Sequence, residues 1–312
     1  GAAGPEAIKF RPVTAFKLIV CIYPKGHTMR LDDSRESQNI EDRRGQRSPL
    51  RGRGKIGLGG IVLALVAIYF GVDPNVVLQN MIEPAGTQYS EPADDPASDA
   101  EMRFVSKVLA DTEDTWAPIF KTNNWGSYQA PKLVLFTGST PTACGQGQAA
   151  MGPFYCPGDS KVYLDLSFFR QMARELDSPG DFAQAYVIAH EVGHHVQHLL
   201  GITDKTDQLR RRASTAQANQ LSVRVELQAD CFAGVWANHS NTQRNTLEAG
   251  DIEEALNAAT AIGDDRLQEQ AQGYVVPDSF THGSSVQRVN WFTRGFKSGN
   301  VKQCDTFNAS SL

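Results

Sequence analysis

The chain has 312 residues, 41% hydrophobic and 21% charged, a globular composition that excludes disorder over its whole length. Its 30 Lys and Arg against 35 Asp and Glu leave a formal net charge of −5, which speaks against a nucleic-acid binder held by overall charge. A mean hydropathy of −0.35 excludes a multi-span membrane protein and leaves room for one span.

In chain order, residues 1–28 read as an extension of uncertain status. Its apolar patch, Phe16 to Tyr23, is too short to span a bilayer, and no function is assigned to it. Met29 then opens a polar, charged segment. Residues 1–55 hold 12 Lys/Arg and 6 Asp/Glu, a balance of +6, whereas 56–312 hold 18 and 29, a balance of −11. Residues 29–54 therefore read as a basic arm. From Ile56 to Val72 the run IGLGGIVLALVAIYFGV carries no charge, so 55–73 are expected to form one transmembrane helix. Arg43, Arg44, Arg47, Arg51, Arg53 and Lys55 precede it, and Asp73 and Pro74 follow. Positive charge resists translocation, which puts the arm in the cytoplasm and the body outside the bacterial inner membrane, in the periplasm. The long basic region and the lack of a small-x-small site favour an uncleaved anchor over a signal peptide. Lipid contact through one helix, a peptide or protein substrate and no nucleic acid are the expected partners.

Residues 74–98, with Pro74, Pro84, Pro92 and Pro96, have the composition of an extended tether. Residues 99–312 are long enough for one domain. Within them Phe104 to Lys121 has helical spacing, KLVLFT and SKVYLDL read as strands, and Phe168 to Leu176 reads as a helix. Ser178 to Asp181 offers a cap for a helix that runs to about Leu200 and stops at Gly201. Gln208 to His239 reads as one long helix, Asp251 caps another, and Ser284 to Phe296 forms a last one. Few early strands and many helices make the fold class α+β.

His190-Glu191-Val192-Gly193-His194 is an H-E-x-x-H motif inside a helical pattern. Residues four apart share a helix face, so both imidazoles can reach one metal ion, with the Glu191 carboxylate beside them to take a proton from water. A tetrahedral catalytic site needs a third protein ligand. The metzincin histidine is absent, and His198 cannot converge with His190 and His194 on one straight helix. His195 and His198 read as packing or surface residues. Glu226 is the strongest candidate, 32 positions after His194, a separation that allows a turn and a returning helix. Asp230, four further on, can accept the other N–H of a ligating histidine. Ala229 and Gly234, on the same stretch, suit close helix approach.

At these residues the chain resembles a known family. HEVGHHVQ followed by ELQADCFAGVWA is similar to the bacterial neutral zinc metallopeptidases, membrane-anchored proteins with a gluzincin-type site. The resemblance extends to MRLDDSRES and the glycine-rich span, to CGxGxxxxGPFYCPxDxxVYLD from Cys144 to Asp165, to EALNAATAIGDDRLQ, and to THGSSxQRxxWFxxGF. It implies a mainly helical zincin-like domain holding one Zn²⁺ on His190, His194 and Glu226, with Glu191 as general base and Asp230 behind the ligands. Related gluzincins hold the oxyanion with a late His or Arg, a role open here to His282 and Arg288. Cys144, Cys156, Cys231 and Cys304 are an even set that suits disulfides in an exported domain. Of three possible pairings, Cys144–Cys156 with Cys231–Cys304 fits best. A non-catalytic zinc scaffold and a zinc hydrolase of a cell-wall amide are the competing functions.

Overall fold

The computed structural model describes residues 29–45 and 96–312. Ile40–Asp42 (β1), Lys132–Phe136 (β2), Lys161–Asp165 (β6) and Phe154–Cys156 (β5) form one sheet in the order β1-β2-β6-β5. β1, β2 and β6 run parallel, and β5 pairs antiparallel to β6 at one edge. After their first residue β2 and β6 are buried throughout, as expected of interior strands covered on both faces. Ser139–Thr142 (β3) and Gly145–Gln148 (β4) make a separate hairpin. The two strands legible in the sequence are present. The other four have three or four residues each, too few for a period-2 pattern to show.

Pro96–Thr122 (α1) carries Val105, Val108, Leu109, Trp116 and Phe120 on one buried stripe. Ser167–Glu175 (α2) leads into Asp181–Leu199 (α3), whose middle is buried on every side. The helix expected over Gln208 to His239 is two helices, Ile202–Arg210 (α4) and Thr215–Arg244 (α5). Ser214 breaks it: its backbone is extended, and its side chain forms a reciprocal capping box with Gln217 that starts α5 afresh. Asp251–Ala261 (α6) is followed, after an extended Gly263, by an unanticipated Asp264–Gln272 (α7). A Cβ on Gly263 would run into the Ser285 backbone nitrogen, so the start of Ser285–Ser298 (α8) can approach only a glycine.

Residues 29–45 are not a separate arm. Met29 and Leu31 are buried in the core, and β1 extends the main sheet. This segment holds four arginines against five carboxylates, and each arginine is paired. Arg30 meets Glu248, Arg35 meets Glu113 and Asp114, Arg43 meets Glu41, and Arg44 meets Asp42 and Asp99. Residues 45 and 96 thus leave one folded body. The structure therefore places residues 29–45 in the body, where the sequence suggests a separate arm over 29–54. The apolar run 55–73 and the tether up to residue 95 lie outside the described residues, as do 1–28, while Pro96 already opens α1. Among the described residues no helix is long and apolar enough to cross a membrane.

α5 and α8 cross at two glycines. A Cβ on Gly234 would overlap the Phe292 carbonyl oxygen, and one on Gly295 would overlap that of Cys231. Alanine at Gly234 gains about 1 kcal/mol of helix propensity but forces the backbones apart. Gly234→Ala is therefore expected to destabilise the fold by about 2 kcal/mol net, read as a lower urea midpoint.

Candidate metal centre

His190, Glu191 and His194 sit on α3, and Glu226 faces them from α5. A Cβ on Gly193 would lie 3.1 Å from the Ala229 carbonyl oxygen, so this glycine lets the two helices approach closely where the ligands meet. His190 Nε2 is 3.1 Å from Glu226 Oε2 and 3.1 Å from His194 Nε2, and His194 Nε2 is 3.5 Å from the same Glu226 oxygen. The three ligand atoms lie within 4.8 Å of one another, two nitrogens and one carboxylate oxygen converging on a single point. That donor set suits Zn²⁺ with a position left for water.

Behind the ligands stands a buried ionic network. Asp230, fully buried, accepts from His190 Nδ1 at 2.8 Å and from the Tyr186 hydroxyl at 2.6 Å. Arg288 closes it, donating from Nε at 2.8 Å and from a terminal nitrogen at 3.0 Å, a bidentate grip on the carboxylate. Burial opposes the Asp230 charge, but Arg288 and His190 overcome it and hold the carboxyl at about 2. An ionised Asp230 fixes the His190 proton on Nδ1 and leaves Nε2 free to ligate. Arg288, for which the sequence leaves an oxyanion role open, directs four of its five N–H groups to Asp230, Tyr186 and the Ile262 carbonyl.

His194 has a second partner that the H-E-x-x-H motif does not name. Its Nδ1 is 2.9 Å from Gln197 Oε1, and the Gln197 amide donates to the Val225 carbonyl and to Gln228 Oε1. Gln228 donates in turn to the Cys304 carbonyl. Gln197 is three residues after His194 and fully buried. Its place one turn beyond His194, on the helix face that also carries His190, was the available signal.

The disulfides are Cys144–Cys156 and Cys231–Cys304, and the second ties the residue after Asp230 to the C-terminal segment. His195 and His198 are not ligands. The Tyr155 hydroxyl lies 3.0 Å from His195 Nδ1 and 2.6 Å from His198 Nδ1, while His195 Nε2 meets the Gln129 carbonyl. Burial pushes His195 down to about 4, so it packs as a neutral ring.

The centre lines a cavity of about 560 Å³. Met151, Phe154, Phe168, Met172 and Val187 form its apolar wall, and Glu191, His282 and the ligands form its polar side. Glu191 is buried; desolvation raises its carboxyl, against the opposing pull of His194 and His190. His282 is half-exposed, with Nδ1 3.3 Å from Asp264 Oδ1. The other Asp264 oxygen accepts from the backbone N–H groups of Thr281, His282 and Gly283, which fixes the loop. Desolvation opposes a charge on His282, but Asp264 and Glu226 outweigh it and raise its basicity.

Asp230→Asn would leave Arg288 buried without its counter-charge. A loss of about 3 kcal/mol or more in unfolding free energy is expected. Zn²⁺ affinity should also fall by about 10–100-fold in a competition titration.

The family described as "Putative neutral zinc metallopeptidase" matches residues 29–307. The "Uncharacterized protein YpfJ" of Escherichia coli strain K12 is 54% identical over 290 residues, covering 90% of this chain and 100% of that protein. The "Uncharacterized protein Mb2605" of Mycobacterium bovis is 40% identical over 265 residues, covering 79% and 86%. No solved structure matches the chain.

Proposed function

The chain belongs to the neutral zinc metallopeptidase family, and from that premise we propose that it is a zinc-dependent peptidase with one ion held by His190, His194 and Glu226. The observation that carries this reading is the convergence of those three ligand atoms on the wall of an apolar cavity that also holds buried Glu191. A bound Zn²⁺ supplies Lewis-acid polarisation and makes water nucleophilic near neutral pH. Glu191 takes the proton of the attacking water and returns it to the leaving amine, and its place beside the ligands on the cavity wall suits both transfers. His282, braced by Asp264, donates to the developing oxyanion.

An extended peptide can add to the sheet at β5. β5 is one of the two edge strands of the sheet, beside β6 (SKVYLDL) in its interior. Phe154 and Tyr155 of β5 line the cavity, so a strand paired there would present apolar side chains to it. The two disulfides support an oxidising compartment for the folded body, residues 29–45 included.

The test is cleavage of a peptide library by the purified chain, with Zn²⁺ and after chelation, beside Glu191→Gln. The wild type with Zn²⁺ is expected to cut next to apolar residues. Glu191→Gln should keep the metal and the fold and lose about 10²–10⁴-fold in kcat. If the wild type cuts nothing that the variant spares, the peptidase reading fails.

A further inference from the structure

Asp181, Asp251 and Glu254 bring three carboxylates within 4.8 Å of one another, outside the metal centre. Asp181 opens α3, and Asp251 and Glu254 lie in the first turn of α6. Capping accounts for part of this: Glu254 accepts from the Phe182 N–H and Asp251 from the Glu248 N–H. It does not account for three acids in one place. Burial, with repulsion from neighbouring acids, raises Asp251 to about 6 and Glu254 to about 7, and burial raises Asp181 as well.

A second observation comes from outside the cluster. The backbone nitrogen of Met29 lies 2.7 Å from Asp181 Oδ2, and Met29 is 4% exposed. Arg30 and Leu31 hold it there. The Arg30 N–H donates to the Thr246 carbonyl, Leu31 is buried in the core, and Lys107 binds the Leu31 carbonyl. As an amide, the Met29 nitrogen brings no charge to the acids. As an α-ammonium it would bring one positive charge and two further donors to the same point. The family match opens at this residue.

We propose that Asp181, Asp251 and Glu254 form a receptor for the free α-ammonium group of a chain that starts at Met29. The N-terminus then acts as the protein's own ligand, joining β1 to the start of the helix that carries His190 and His194. Capture of a terminal amine by a built pocket is a known form of recognition.

The test compares three forms of the chain by thermal unfolding: one starting at Met29, one with a single glycine before Met29, and one with residues 1–28. The Met29 form is expected to melt about 3 °C or more above the other two at pH 7. An α-amine ordinarily titrates near 7.7–8.0, and the acids raise its pKa in the folded state. Its stabilisation is therefore full from the pH at which the acids are ionised up to that ordinary value and lost as pH rises through the raised one, so the gap should close by about pH 10. Asp181→Asn and, separately, Glu254→Gln should each narrow the gap. Equal midpoints overturn the proposal, as does a gap that ignores both pH and the two variants. A rise in the Met29 form's midpoint with CaCl₂ that Asp181→Asn abolishes would show an inorganic cation site instead, and would overturn it too.

Discussion

The bidentate pair between Arg288 and Asp230 is the constraint on which the centre depends. A carboxylate with no solvent exposure is tolerable only with a full set of partners, and Asp230 has them in Arg288, His190 and Tyr186. Through that one group α8 is joined to α5, and α5 to α3. Gly193, Gly234 and Gly295 let the three backbones come close enough for the contacts to form. Packing and electrostatics are therefore not separate contributions here. The small residues set the helix spacing, and the spacing sets the ligand geometry.

His194 is held by a different route. Its partner Gln197 reaches Gln228 and, through it, the backbone at Cys304. One ligand is thus oriented by an ion pair and the other by a chain of amides that ends at a disulfide. The two routes share α5, the helix that also supplies Glu226.

Much of the centre was legible in the sequence. His190, Glu191 and His194 declare a shared helix face by their spacing, and Glu226 with Asp230 declares the returning helix. What could not be read depends on distance along the chain. Arg288 stands 58 positions from Asp230, and nothing local to it separates an oxyanion donor from a buried counter-ion. β1 joins β2 across a long stretch of chain, and its three residues carry no strand signal of their own. The arginines of residues 29–45 pose the same difficulty, since Arg30, Arg35 and Arg44 pair with carboxylates far along the chain.

The route from His194 to Cys304 has a consequence for how the molecule comes into being. The histidines leave the ribosome well before Arg288 and Cys304, which follow only near the end of the chain. Until they arrive, Asp230 has no cation and Gln228 has no carbonyl to bind. A growing or truncated chain therefore carries the motif without the geometry. The geometry around His190 and His194 is completed only when the segment carrying Arg288 and Cys304 packs on α5.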